Sequence, residues 1–250
     1  MKETKLKVNQ IRKAFPNLPT LQNISLELSE SQFVSVLGPS GCGKSTLFSI
    51  IAGLASPDAG EVLIDGQSVT GRPGRVSFMH QKDLLLPWKS ILDNAALPLF
   101  LQGVSTGEAR ERAQQYFHLF GLAGFENYYP AQLSGGMRQR AALLRTFLFS
   151  KDILLLDEPF GGLDAMTRQS MQHWLMEVVQ ELKASVLLIT HDVDEAIWLS
   201  DRVYVLSRRP AVVKKVVEIP LKRPRQMNLF TDATYIALKE TILDCFQREV

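Results

Sequence analysis

Residues 33–46 read "FVSVLGPSGCGKST", and this stretch decides the fold. "FVSVL" is a short apolar run rich in β-branched residues, the pattern of a buried strand. From Lys44 the period changes. Leu47, Ile50, Ile51 and Leu54 fall at i, i+3, i+4 and i+7, and Gly53 and Pro57 close the run, which predicts a helix over 45–54. Between strand and helix, Gly38 to Ser45 satisfies G-x-x-x-x-G-K-[ST] in the context that gives this pattern its meaning. Glycines let successive backbone N–H groups converge on phosphate oxygens without side-chain obstruction. Lys44 brings a positive charge to β- and γ-phosphates, and Ser45 a hydroxyl suited to Mg²⁺. Pro39, Ser40, Gly41, Cys42, Gly43 and Thr46 complete the candidate loop.

Outward from this loop, strand and helix signals alternate. Before it, "LKVNQI" and "ISLELSE" read as strands, the second with Ile24, Leu26 and Leu28 alternating. After it, "GEVLIDGQSV" and "RVSFMH" return to strand, with Asp65-Gly66 marking a hairpin turn. "DILLLDE", "SVLLITH" and "RVYVLS" are further short apolar runs. One helix with Met171, Trp174, Leu175, Val178 and Leu182 separates the first two of these. A last helix, "DATYIALKETILDCF", carries a stripe of Tyr235, Leu238, Ile242 and Phe246. Apolar runs of four to six residues alternating with helices predict an α/β fold with a buried, largely parallel sheet. The stretch 89–150 breaks the rhythm. It is helical, with Ala109, Ala113, Phe117 and Phe120 on one face closed by Gly121, and reads as an inserted subdomain. One domain over 1–250 is expected, with a core and β subdomain from 1–88 and 151–220 and a C-terminal extension over 221–250.

Composition narrows the class. With 250 residues, 46% hydrophobic and 22% charged, the chain is ordinary globular material with ample core. A net charge of +2 makes no demand for nucleic acid. The short basic clusters Lys214-Lys215 and Lys222-Arg223 with Arg225 read as solvated surface. Two distant cysteines, Cys42 inside the glycine loop and Cys245, fit a reducing compartment. "MKETKLKVNQIRKAF" has no apolar core of a secretory signal. Apolar stretches such as "NAALPLFLQ" fall short of the ~18 residues a membrane helix needs. The expectation is a soluble protein that something else must hold if it works at a membrane.

"ILLLDEP" (153–159) supplies a second half-site: a fully apolar strand delivers Asp157 and Glu158 at its C-terminal end, where α/β sheets place ligands. Adjacent strand residues face opposite ways, so different tasks are expected. Asp157 would hold Mg²⁺ through water, and Glu158 would poise the attacking water. A third stretch, "LSGGMRQR" (133–140), opens a helix with Ser134, Gly135 and Gly136, a second place where backbone N–H groups await an anion.

"LSGGMRQR" followed by "ILLLDEPF", "GGLD" and "THD" resembles the ATP-binding cassette (ABC) ATPases, over nearly the whole chain from about residue 5 to 220. The resemblance implies a P-loop NTPase core with an N-terminal antiparallel β subdomain and an inserted α-helical subdomain. It also implies ATP and Mg²⁺ as ligands, and a head-to-tail dimer in which Ser134, Gly135 and Gly136 reach the γ-phosphate of a nucleotide held by the second copy. Phe15 matches an aromatic that stacks on adenine; a buried core Phe is the competing reading. Gln81 matches a glutamine touching Mg²⁺ and the γ-phosphate, Asp164 a loop crossing the dimer interface, and His191 a switch histidine at the γ-phosphate. Met137 and "GGLD" depart from the commoner glutamine and "SALD", but neither removes a catalytic group.

"LLLPWKSILDNAALPL", "DEPFGGLDAMTRQSMQHWL" and "LSRRPAVVKKVVEIPLKRPR" look most like importer ATPases grouped with nitrate, sulfonate, taurine and thiamine-precursor uptake. Partners implied are a separate membrane permease and, through it, a solute-binding protein, with this subunit on the cytoplasmic face of the membrane. Leu85, Leu86, Pro87 and Trp88 are expected to line the permease's docking groove as an exposed patch; a core-facing loop is the alternative. A cassette ATPase acting in translation or DNA repair is the second reading. It is disfavoured by the single cassette, two cysteines and lack of a heptad run. A P-loop kinase would leave 133–140 without a purpose.

Overall fold

The computed structural model describes residues 3–150 and 152–247. In chain order its elements begin with β1 (Thr4–Phe15), β2 (Leu18–Ser29), β3 (Phe33–Leu37), α1 (Lys44–Ile51), β4 (Ala59–Ile64), β5 (Gln67–Ser68) and β6 (Ser77–Met79). A helical stretch follows, with α2 (Ile91–Leu101), α3 (Thr106–Gln114) and α4 (Gly135–Phe149). Then come β7 (Ile153–Asp157), α5 (Ala165–Leu182), β8 (Ser185–Thr190), α6 (Val193–Leu199), β9 (Arg202–Leu206), β10 (Val213–Glu218) and α7 (Ala233–Gln247). The chain divides into two compact units, Met1–Arg75 with Ser185–Val250, and Val76–Ala184.

The first unit holds two sheets. One is antiparallel, in the order β2-β1-β4-β5. Its β4–β5 turn places Asp65 at φ 49° and Gly66 at φ 74°, the two positive angles a tight hairpin turn requires. The other sheet runs β10-β9-β3-β8, with β3 parallel to both β8 and β9 and β10 antiparallel on the outside. Strands β3 and β8 are buried at every position, which explains why they read as unbroken apolar runs rather than alternating ones. Helix α1 stops earlier than its apolar period predicts. Gly53 turns left-handed at φ 74°, and Leu54, placed on the packed face by spacing, is exposed.

In the second unit β6 and β7 pair in parallel, and α2 packs against α3 and α4. The predicted face Ala109, Ala113, Phe117 and Phe120 is fully buried, although α3 ends at Gln114 and the two phenylalanines lie on the turns that follow. Phe120 meets Trp174 of α5 edge-on at 5.7 Å, and Trp174 Nε1 donates to the Leu119 carbonyl at 3.3 Å. Burying one such ring contributes about 2–3 kcal/mol. Helix starts carry side-chain caps: Ser90, Ser105, Ser134 and Asp164 each accept from a backbone N–H three residues on. Among the described residues no helix is long and apolar enough to cross a membrane.

Candidate nucleotide site

In the first unit, the loop from Gly38 to Gly43 is shaped by what surrounds it. Gly43 sits at φ 121°, and a Cβ there would lie 2.9 Å from Leu21 Cδ2 and 3.0 Å from Thr20 Cγ2 of β2. Only glycine fits this position. A side chain on Gly38 would come 3.1 Å from Cys42 Sγ and 3.2 Å from Leu206 Cβ. Cys42 is buried, and burial pushes its thiol above the usual range, so it packs as a small apolar group. Lys44 is 5% exposed, and its ammonium donates to the carbonyls of Gly38 at 2.7 Å and Pro39 at 3.0 Å. The lysine is thus folded back over its own loop, with Ser45 exposed one residue along. Arg209 carries no local signal in the sequence. From the β9–β10 turn its Nε donates to the Gly41 carbonyl, fixing the orientation of that peptide.

Strand register carries His191 to the same end of the sheet. Leu37 of β3 is the Cα partner of Thr190 of β8. The residues that follow are Gly38 on one strand and His191 on the other, so the loop and the exposed histidine start side by side at the C-terminal ends of parallel strands. Phe15 ends β1 opposite Leu18, on the hairpin whose Thr20 and Leu21 press against Gly43. It is 45% exposed, which removes the buried-core reading, and the Lys13 ammonium lies 5.6 Å from its ring centroid.

The second unit gathers the other candidates. Met79 of β6 pairs with Leu156 of β7, and two residues beyond each, Gln81 Nε2 donates to Glu158 Oε2 at 3.2 Å. Asp157 is buried, whereas Glu158 is half-exposed with its backbone at φ 46°. A left-handed, non-glycine residue costs about 1–2 kcal/mol and is held by its surroundings; here the Gly161 N–H donates to the Glu158 carbonyl at 3.0 Å. The two carboxylates therefore leave β7 in unlike settings.

Ser134 caps α4, accepting from the Met137 N–H at 3.3 Å, and Gly136 is packed closely enough that a Cβ would meet Thr167 Cγ2 at 3.2 Å. Asp164 caps α5 through the Thr167 N–H at 3.0 Å, and hydrogen bonds from Thr167 hold its carboxyl below the usual range.

The expected exposed patch at 85–88 needs correction. Leu85 is buried and Leu86 half-buried, because the loop is anchored from beneath. The Asn94 amide accepts from the Leu86 N–H at 2.7 Å and donates to the carbonyls of Leu86, Lys89 and Ser90. Arg145 of α4 donates to the carbonyls of Leu84 and Asp83. What faces solvent is Leu84, Pro87 and Trp88, with Trp88 71% exposed. Asn94 stands in the sequence as a polar residue inside an apolar helix, a signal of a buried amide with backbone to satisfy.

A family model described as ABC transporter matches residues 21–161. The chain belongs to the ABC transporter family. A formylaminopyrimidine import ATP-binding protein of Halalkalibacterium halodurans is 45% identical over 209 residues, covering 84% of this chain and 82% of the relative. An aliphatic sulfonates import ATP-binding protein of Bacillus cereus is 38% identical over 244 residues, 96% of this chain and 95% of the relative. Among solved structures, the bacterial ABC transporter cassette MJ0796, described as dimeric, is 31% identical with a TM-score of 0.74, covering 87% of this chain and all of that one. A second structure of that cassette, described as a post-hydrolysis state bound to ADP and Pi, has a TM-score of 0.72 at 30% identity, with the same shares covered. This chain is an ABC ATPase of the importer group, binding and hydrolysing ATP.

Proposed function

We propose that this cassette binds MgATP between two copies arranged head to tail and couples its hydrolysis to solute uptake through a separate permease at the cytoplasmic face of the membrane. Gly38 to Thr46 would wrap the phosphates, with Lys44 exchanging the carbonyls of Gly38 and Pro39 for β- and γ-phosphate oxygens, and Phe15 would stack on adenine. A magnesium ion would take the Ser45 hydroxyl, the Asp157 carboxylate and the Gln81 amide oxygen as its donors if the cassette resemblance holds at these positions. This is a hard, oxygen-only set with few protein ligands, and it fits an ion that keeps waters and phosphate in its shell. Bound there, Mg²⁺ would neutralise charge developing on the phosphoryl oxygens. Glu158 would accept a hydrogen bond from the attacking water, and His191 would contact the γ-phosphate. Ser134, Gly135 and Gly136 would grip the nucleotide of the second copy, with Asp164 at the dimer interface.

The observation that supports this reading is the Gln81–Glu158 hydrogen bond, in which a neighbour holds the carboxylate proposed to poise water. The test is Glu158→Gln. The variant is expected to bind ATP, hydrolyse it about 10²-fold or more slowly, and accumulate as an ATP-bound dimer in sedimentation. A variant that stays monomeric under ATP overturns the head-to-tail site.

Leu84, Pro87 and Trp88 are proposed to receive a helix of the permease, since an exposed apolar cluster on an anchored loop is what an interface needs. In reconstituted vesicles Trp88→Ala is expected to hydrolyse ATP while uptake falls at least about tenfold, the loss of a hot-spot aromatic. Normal uptake overturns that contact. The solute is proposed to be a small anion or pyrimidine of the kind named for the relatives, delivered by a solute-binding protein.

A further inference from the structure

His191 lies in a two-residue connection between β8 and α6, so its direction depends on how α6 is held. Asp192 ties the connection down: its N–H donates to Thr190 Oγ1 at 3.0 Å, and its Oδ1 accepts from the Glu195 N–H at 3.1 Å. Helix α6 itself is seven residues long, far below the ~12–15 at which a helix has stability of its own. Tertiary contacts must therefore set its axis, and many of them come from the C-terminal extension.

At its N-terminal end, Asp194 is grasped by two residues one turn apart on α7. Tyr235 Oη donates to Oδ1 at 2.8 Å and Lys239 Nζ to Oδ2 at 2.8 Å, so both carboxylate oxygens are engaged. Tyr235 is 1% exposed; burial and Asp194 push its phenol well above the usual range, keeping it a donor. At the other end, Arg225 is buried rather than solvated as its cluster suggests. Its guanidinium donates to the carbonyls of Ile197, Trp198, Ser200 and Leu221. Arg223 adds the Leu199 carbonyl at 2.6 Å. Most of these are the last-turn carbonyls a helix leaves without internal partners. Between the two ends, Ala196 and Ile197 share an apolar cluster with Tyr235 and Ile242.

We propose that α7 positions the switch histidine: Tyr235 and Lys239, by holding Asp194, fix the orientation of α6 and with it the turn carrying His191. This rests on the reading of His191 as a γ-phosphate contact. Tyr235 and Lys239 are then positioning residues for hydrolysis, supplied from beyond the segment matched by the family model, which ends at residue 161.

The test is the Tyr235→Phe/Lys239→Gln double variant, which keeps the ring and the length of both side chains. Steady-state hydrolysis is expected to show kcat lower by about three- to tenfold, the effect of losing charge-assisted hydrogen bonds to one group. KM for ATP is expected to stay within about twofold, because uniform binding is untouched. The chain has four histidines. With His191→Ala identifying the fourth imidazole resonance, the double variant should move that signal and leave those of His80, His118 and His173 in place. Lys239→Arg alone, which restores the ion pair, should keep wild-type kcat. A double variant with wild-type kcat and an unmoved His191 signal, beside a crippled His191→Ala, overturns the positioning role and leaves the nucleotide reading standing. A lower thermal midpoint with unchanged kcat does the same. If His191→Ala itself turns over at the wild-type rate, the reading of that residue fails, and the positioning proposal with it.

Discussion

The two glycine-bearing loops of this molecule are built in opposite ways. The loop at 38–43 is closed on itself: Gly43 is pressed against Thr20 and Leu21, Lys44 is buried with its ammonium on two loop carbonyls, and Arg209 pins Gly41. The start of α4 at 134–136 is open only at its first residue, since Gly136 is buried against Thr167. Ser134 is exposed, its hydroxyl accepting from the Met137 N–H to cap its own helix, and Gly135 is half-buried. A site preformed by its own unit will hold a ligand alone. A helix start that leaves N–H groups without internal partners has the field for an anion but not the walls, so a second body could complete it. That contrast is what the proposed sharing of a nucleotide between two cassettes would use.

The largest effect that would break the contrast is at Lys44. Lys44→Ala is expected to weaken ATP binding about 30- to 100-fold, the worth of one or more charge-assisted phosphate contacts, as measured by fluorescence titration of the isolated chain. Near-normal affinity would mean the closed loop is not the primary phosphate cradle. Gly135→Asp sharpens the comparison from the other side. A carboxylate in the first turn favours the helix by about 0.3–1 kcal/mol yet repels a phosphate. The variant should therefore bind ATP as a monomer with unchanged affinity while ATP-driven dimerisation weakens about 100-fold or more, several kcal/mol of like-charge cost. Loss of monomer binding instead would place 134–136 in the chain's own site. The smallest effect is expected for Ser134→Ala, which removes the cap of α4. It should lower stability by about 1 kcal/mol and the thermal midpoint by about 2–4 °C, and a larger fall in calorimetry would show that the serine does more than cap in the free chain.

Much of the fold was legible because its signals are short-range. A glycine loop between an apolar strand and an amphipathic helix states its geometry within fourteen residues. Corrections cluster where partners come from far along the chain. Leu84 and Leu85 look alike in sequence, yet Asn94 and Arg145 hold the loop so that Leu85 turns inward and Leu84 outward. Arg225 reads as surface charge beside Lys222 and Arg223, but the last carbonyls of α6 draw it inside. One correction is local: Leu54 continues the helical period of α1 on paper, while its neighbour Gly53 has already turned the chain away.

By itself, the sequence determined which chemistry is available: a lysine loop, two carboxylates at a strand exit, a glutamine, a histidine and a second helix start rich in small residues. These follow from residue type and spacing over a few positions, where steric rules leave little choice. Tertiary structure alone decided which of them meet. The Leu37–Thr190 and Met79–Leu156 registers set His191 beside the loop and Gln81 on Glu158, and the C-terminal extension came to hold α6. Such pairings depend on strand register and on the burial of distant side chains, which no local pattern encodes.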